Sequence, residues 1–408
     1  MRATGVAILA LGVGVWAGLG WAPARAEEPV ASSLSGVAEG QVERAVSAFP
    51  AHVRSLRVVR DAWAQVGPGL WKRRIGQIAK GTRIAWKAAT ESIAKVPEGQ
   101  CPRWIAVDPK GWICESDVEP SELAPSATPL PIIRDGYLLP ERYGEVLPTP
   151  ENPSRGGRIS DFGGLWASGD GSLTLPLAWA QGRGERARSM PVAVRSAPSA
   201  KAGVVRMIGQ RTIVAPIGYS PDKRFAQIGD GEWIAVADLH IAAWTAPPTE
   251  VKPGERWIDV DLNQQVLVAY EGTRPIAATL IASGLPNHQT PIGKFRVKWK
   301  HAVTRMAGTD YRAMVPWTMY YADMYALHAA YWHDRFGQHT SHGCINVAPR
   351  DARNLFAWSD PLLPPGWNVV YGVDEHPGSL VRVRRTRVRT PPLDAAVLSA
   401  SDRAPSSP

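Results

Sequence analysis

Ser341-His342-Gly343-Cys344-Ile345-Asn346 is the stretch on which the reading of this chain turns. It sets a cysteine behind a histidine and a glycine in a polar, turn-like run rather than in an apolar strand. A thiol of ordinary pKa, about 8.5, is only partly ionised at neutral pH, and it becomes a good nucleophile when an imidazole accepts its proton. That imidazole needs a third group to fix its tautomer. A glycine-containing turn lets the backbone approach a substrate, and its consecutive N–H groups can hold an oxyanion. Downstream, residues 349–358 read as a short helix with Pro349 at its first position and Asp351 in its first turn, although Ala348 is a poor cap.

Two other readings of the same region compete. His328, His333, His339 and His342 crowd around Cys344, a density that could ligate zinc. No pair has the H-E-x-x-H spacing and no Cys-x-x-Cys is present, so no metal site is expected. The remaining reading is a structural turn with incidental histidines and an inert, packed thiol.

The chain has three cysteines. Cys101 and Cys114 bracket CPRWIAVDPKGWIC, which reads as two short strands around a Pro-Lys-Gly turn. Cysteines facing each other across a hairpin reach disulfide distance, so a Cys101–Cys114 bridge is expected and Cys344 is left as the free thiol. A disulfide requires an oxidising compartment. Arg2, the apolar run from Ala3 to Trp21 and the small-x-small pattern Ala24-Arg25-Ala26 fit a secretory signal cleaved after residue 26, with an uncleaved membrane anchor as the alternative. The expected location is therefore the periplasm or cell envelope.

At this point the residues resemble a family. SHGCIN, with the upstream Leu327-His328-Ala329-Ala330-Tyr331-Trp332-His333, resembles the active-site signature of L,D-transpeptidases with a YkuD-type catalytic domain. Thr290-Pro291-Ile292-Gly293-Lys294-Phe295 resembles that family's T-P-x-G-x-F segment, and Trp257 to Gln265 its opening strand and turn. The resemblance implies that Cys344 is the nucleophile and His328 the general base, oriented by the backbone carbonyl of Ala329. It implies that His342 and Gly343, with Cys344, form the oxyanion-hole turn, and that Asn346, Ser341 and Trp317 contact substrate. The stretch between His328 and Ser341 is shorter than in many members, which leaves His333 as an alternative base. The implied reaction is acyl transfer from a peptidoglycan stem tetrapeptide through a thioester, without a cofactor. A stem-peptide amine as acceptor gives a 3→3 cross-link, water gives an L,D-carboxypeptidase, and a lipoprotein lysine or free D-amino acid gives an anchoring or exchange enzyme. The reading from another class is a non-catalytic cell-wall-binding protein.

A chain of 408 residues holds more than one domain. Upstream, Trp104-Ile105-Ala106-Val107 recurs as Trp233-Ile234-Ala235-Val236, each copy leading to Ser116-Asp117-Val118 or Ala237-Asp238-Leu239. Short strands, turns and tryptophans resemble bacterial SH3-like wall-associated modules, either binding cell-wall glycan or serving as spacers. The fold expected is mainly β, a YkuD-type catalytic domain at the C-terminus preceded by small SH3-like β-barrels. Expected boundaries are a signal peptide over 1–26, a helical and linker region over 27–71 in which Val42, Ala45, Val46 and Phe49 space as a short helix broken at Pro50, and a module over 72–120. A Pro/Gly-rich linker over 121–185 and a second module over 186–246 follow. The catalytic domain spans 255–373, and a basic, partly disordered tail spans 374–408, its arginines Arg382, Arg384, Arg385, Arg387 and Arg389 read as a solvated extension. The net charge of +9 favours anionic partners such as wall polymers or stem-peptide carboxylates. Nucleic acid is not expected, since no motif for it appears.

Overall fold

The computed structural model describes residues 49–69, 72–91, 101, 103–133, 139–140, 162–182, 190–307 and 312–386. The signal segment 1–26, the first part of the helical reading (41–48), most of the proline-rich stretch 134–161 and the end of the tail from 387 lie outside the described residues.

The C-terminal sheet is organised by the strand Arg274–Gly284, whose RPIAATLIASG run is buried on both faces. Such a continuous apolar strand is stable only with cover on each side. It pairs antiparallel with Val266–Glu271, parallel with Gln338–Ser341 and antiparallel with Ile345–Val347. Val266–Glu271 continues to Arg256–Asp261 through a tight turn at which Gln265 takes a positive φ. On the other side, Trp299–Ala307 and Arg312–Ala322 form a long hairpin, and Tyr325–Ala329 extends it. Tyr325–Ala329 then runs parallel to Ile345–Val347. Ile258, Leu267, Ile281, Met319, Leu327, Val347 and Leu355 meet in the core between these strands and the helix. Each such aliphatic side chain contributes roughly 1.5–3 kcal/mol on full burial.

The helix Pro349–Trp358 has proline in its first turn and Ala348 at its N-cap with no side-chain cap. Asp351 is not a cap but an anchor. Its buried carboxylate accepts from Gly164 N at 2.8 Å, Trp166 Nε1 at 3.0 Å and Thr279 Oγ1 at 2.5 Å. These bonds tie the short strand Leu165–Trp166 to the edge of Arg274–Gly284.

The tail departs from its expected form. Leu380–Arg384 is a strand, parallel to Arg256–Asp261 and antiparallel to Gly293–Arg296. Leu380, Val381 and Val383 are buried, while Arg382 and Arg384 close on the buried carboxylate of Asp259 at 2.6 and 2.7 Å. The arginines at 382 and 384 are thus the polar half of an alternating strand, not a solvated run, and the catalytic domain extends past residue 373.

The helical reading breaks at Pro50, and beyond it the region read as helical and linker carries strands. Ser55–Val58 and Ala62–Gln65 are strands, with Leu56, Val58, Ala62 and Ala64 buried and Arg57 exposed. That is a period of two, which an alanine- and valine-rich stretch satisfies as readily as a helical one. The stretch read as a linker carries the strands Leu165–Trp166 and Leu177–Ala180.

The upstream region is a duplication in its strand pairing. In the first copy Ser55–Val58 pairs with Arg83–Ile84 and Val118–Ser121, Ala62–Gln65 with Arg74–Ile78, and Arg103–Val107 with Trp112–Cys114. In the second, Leu177–Ala180 pairs with Thr212–Val214 and Leu239–Ala242, Val192–Arg195 with Val204–Ile208, and Phe225–Gly229 with Glu232–Ala235. A 3-10 turn precedes the last strand in each, Glu115–Asp117 and Val236–Asp238. This register equates Trp233 with Trp112 rather than with Trp104, since Gln65 pairs with Trp112 as Arg195 pairs with Trp233. The bridge Cys101–Cys114 is formed in the first copy.

The first copy is joined to the catalytic domain by backbone. Arg74–Ile78 pairs antiparallel with Trp367–Tyr371. Gly76 permits the approach, because a Cβ there would fall 2.4 Å from both the Trp367 ring and Val369 O. Trp367 is fully enclosed in the core of that copy.

Candidate active site

The turn that carries Cys344 is closed from inside. Ser341 Oγ accepts from Gly343 N at 3.1 Å and donates to Cys344 O at 2.5 Å. Gly343 sits at φ +112, where an L side chain is strained, and a Cβ would lie 2.5 Å from the Tyr325 ring. Because Ser341 occupies the Gly343 N–H, Gly343 serves this turn through its backbone conformation rather than as a free donor. Ser341 is buried and shapes the turn from below, so substrate contact is not its local task. The exposed His342 ring lies 4.9 Å from that of His288. The loop leading there is held by Leu285 N donating to Ser341 O at 2.9 Å and Gly284 N donating to Thr290 Oγ1 at 2.9 Å, which gives the T-P-I-G-K-F segment its structural role.

Parallel pairing places His328 on the strand next to the one that follows the Cys344 turn. His328 stands opposite Asn346, and Leu327 opposite Ile345. His328 Nδ1 lies 2.9 Å from Ala329 O. A carbonyl only accepts, so Nδ1 carries the proton and Nε2 keeps its lone pair. Burial pushes the His328 imidazole down to about 4, against a smaller upward pull from that same bond, so it is neutral near pH 7.

Cys344 is the free cysteine of the chain and keeps some exposed surface. Protein atoms nonetheless surround it closely enough that burial pushes the thiol up. Its Sγ lies 4.0 Å from Met324 O. Both the Cys344 thiol and the His328 imidazole are therefore neutral near pH 7.

His333 is engaged elsewhere. Its Nδ1 accepts from Arg335 N at 3.1 Å and its Nε2 lies 2.9 Å from the Asn346 amide. Both ring nitrogens are occupied, which separates it from the free Nε2 of His328. Trp317 is 3 % exposed, at φ +53, and packs in the core with Met319 and Leu327. A ring so enclosed presents no face to a substrate. Among the described residues no group of three or more His, Cys, Asp or Glu is placed to hold a metal ion.

Sequence reasoning missed three supports of the turn. Tyr325 backs Gly343, and His339 Nδ1 lies 2.9 Å from Ser283 Oγ and 3.0 Å from Gly284 O at the foot of the same loop. Ser283 in turn is held by Gln265, whose Oε1 accepts from Ser283 N at 3.0 Å. Tertiary pairing brings these groups together across long sequence separations, and no local spacing announces it.

Solved structures similar to parts of the chain include an L,D-transpeptidase from Stackebrandtia nassauensis, 23 % identical, covering 35 % of this chain and 60 % of that one at a TM-score of 0.26. An L,D-transpeptidase from Enterococcus faecium is 25 % identical, covering 35 % and 55 % at a TM-score of 0.26. One from Mycobacterium smegmatis is 19 % identical, covering 40 % and 76 % at a TM-score of 0.27. Likenesses of this size carry no argument about activity. No curated protein matches the chain. Residues 255–384, from the opening strand through the Cys344 turn to the last residue of the tail strand, match the YkuD family, the L,D-transpeptidase catalytic domain.

Proposed function

We propose that this protein is an exported peptidoglycan L,D-transpeptidase that acts through Cys344. The observation that carries the reading is the tautomer of His328: a neutral imidazole, Nδ1–H held by Ala329 O, on the strand beside the Cys344 turn. In the reaction, His328 Nε2 takes the thiol proton as Cys344 Sγ attacks the amide carbonyl after the third residue of a stem tetrapeptide. The tetrahedral oxyanion collapses to a thioester, and terminal D-alanine leaves as the amine with the proton from His328. The amine of a second stem peptide then attacks the thioester, gives its proton to Nε2 and restores the thiol, leaving a 3→3 cross-link. Water in place of that amine gives a tripeptide, and a lipoprotein lysine gives an anchored protein.

The two upstream repeats are, in this proposal, SH3-like modules that meet wall glycan. Their duplicated strand pairing supports a modular origin, and the sheet pairing of Arg74–Ile78 with Trp367–Tyr371 supports a fixed rather than a tethered disposition of the first one.

The test is mass spectrometry of tetrapeptide muropeptides incubated with protein lacking residues 1–26, alongside Cys344→Ala. Dimers with a 3→3 link that vanish in the variant support transpeptidation. Tripeptides alone make water the acceptor. Unchanged muropeptides with a Cys344 that also resists alkylation would sink the catalytic reading in favour of a non-catalytic wall-binding protein.

A further inference from the structure

The two repeats share a sheet edge and treat it differently. In the first, Ala62–Gln65 pairs with Arg74–Ile78 as Ala64↔Gly76 and Gln65↔Arg74, which leaves Ile75 as a bulge. In the second, Val192–Arg195 pairs with Val204–Ile208 as Val194↔Arg206 and Arg195↔Val204, which leaves Val205 in the same place. Ile75 and Val205, Gly76 and Arg206, Gln77 and Met207, and Ile78 and Ile208 are therefore equivalent positions. The far edge of Arg74–Ile78 is closed by the antiparallel strand Trp367–Tyr371, and Ile75 is 6 % exposed. Val204–Ile208 ends its five-stranded sheet, and among the described residues no strand pairs with its far edge. Val204, Val205 and Met207 are 52, 52 and 53 % exposed.

Sheets that stay single protect such an edge with lysine, proline, a free charge or a bulge. Val204–Ile208 has no lysine and no proline. Its one charge is neutralised, since Arg206 Nε and Nη2 donate to the Glu232 carboxylate at 2.8 and 2.9 Å. The bulge at Val205 is no bar either. The first repeat carries the same bulge at Ile75, and its edge is paired from Gly76 to Ile78. The partner there is an apolar antiparallel strand, Trp-Asn-Val-Val-Tyr, whose Trp367 ring lies where a Cβ on Gly76 would fall. Arg206 stands at that position in the second repeat, so its partner brings an aliphatic side chain there rather than a ring.

We infer that Val204–Ile208 pairs antiparallel with Val204–Ile208 of a second copy of this chain, joining two second repeats through one sheet. Among the described strands it is the one that carries three exposed large apolar side chains, so the chain's own match for this edge is the edge itself. An antiparallel edge is self-complementary, and one two-fold pairing closes both copies at once. Pairing over the residues equivalent to Gly76–Ile78 sets Met207 beside its own copy and Arg206 opposite Ile208. No like charges then face each other. The inference stands apart from the catalytic reading, because the edge uses no residue of the Cys344 turn.

Sedimentation velocity of the full chain tests the association, and hydrogen exchange locates it. The wild type is expected to pass from one chain to two over roughly a hundredfold rise in concentration. Over the same rise the amides of Val204–Ile208 are expected to exchange more slowly, while those of Gly218–Tyr219, at the other end of that sheet, keep their rate. Met207→Lys, which sets two lysines face to face, is expected to weaken the association at least about tenfold. Leu123→Lys removes an exposed leucine after the last strand of the first repeat and is expected to leave the association unchanged. The apolar run near the N-terminus is common to all three proteins, so differences between them report the edge. A wild type that stays a single chain, a dimer that Met207→Lys leaves intact, or an equal weakening by Leu123→Lys would each overturn the inference. So would concentration-dependent protection that leaves Val204–Ile208 unchanged, a result read from the wild type alone.

Discussion

His328 gives its Nδ1–H to the carbonyl of Ala329 at 2.9 Å, and that one bond decides which ring nitrogen keeps a lone pair. It leaves Nε2 as the acceptor in a ring that burial keeps neutral down to about pH 4. The same burial raises the thiol. In the proposed reaction, acylation then depends on proton transfer within the attack itself. Replacing His328 by Ala should lower kcat/KM by about 10²–10⁴-fold, the ordinary contribution of a general base. In the wild type, kcat/KM for the tetrapeptide should fall on the acid side only as His328 gains its proton near pH 4. Alkylation of Cys344 should rise through an alkaline range above that of a free thiol. A thiol that titrates well below pH 8 in an iodoacetamide profile would mean a preformed ion pair and sink this account.

Asp259 is 2 % exposed by its side chain and receives both Arg382 and Arg384. Replacing it by Ala would leave the Arg382 guanidinium without a carboxylate and Arg384 with Asp261 alone at 3.4 Å, at a cost of about 3 kcal/mol. Truncation after residue 373 would remove Leu380, Val381 and Val383 from the core as well, and that protein should fail to give a cooperative unfolding transition. A stable, cooperative 1–373 chain would show that Leu380–Arg384 is dispensable.

The tail shows why part of this fold was not legible. Leu380-Val381-Arg382-Val383-Arg384 alternates as a strand does, yet the arginines that follow give the stretch the look of a charge run. Which reading holds depends on Asp259, far away in sequence. Trp317 misled in the opposite way, because a tryptophan near a motif reads as a ligand platform while the fold spends it on the core. The duplication was visible, but its register was not: Trp104 and Trp112 both begin a Trp-Ile pair, and only strand pairing tells them apart. What the chain states locally came through. The polar Ser341–Cys344 run is a turn, Pro349 opens a helix, and the spacing of Cys101 and Cys114 matches the bridge.

The Cys101–Cys114 bridge leaves one thiol to react. Titration of the unfolded, non-reduced protein with a thiol reagent should count one group per chain, rising to three after reduction. A count of three before reduction would refute the bridge. Closing a loop of that length stabilises by about 3 kcal/mol on the chain-entropy model, so Cys101→Ser with Cys114→Ser should lose an amount of that order. The loss should appear in the first repeat, where Trp104 and Ile113 pack close to the bridge, and hydrogen exchange in Val192–Arg195 of the second repeat should not change.

Lys300 is fully buried under the C-terminal end of the helix Pro349–Trp358. Its Nζ donates to Ser359 O at 2.7 Å and to Phe356 O, and it lies 4.5 Å over the Phe356 ring. Burial pushes it down to about 7, partly offset by the nearby Asp360 carboxylate. In the unfolded chain a lysine holds its proton up to about pH 10.4. Between those values the unfolded state binds more protons than the folded one, so stability must rise with pH across that window. Lys300→Met abolishes the dependence while leaving the helix-end carbonyls without their donor. The stability difference between wild type and Lys300→Met, measured by denaturant midpoints, should therefore be level below pH 7. Above it the difference should grow in favour of the wild type by at most about 1.4 kcal/mol per pH unit. Groups that titrate in both proteins cancel in this difference. A level difference from pH 6 to 10 would mean that Lys300 keeps its charge in the folded state and that the helix-end carbonyls hold it against its burial.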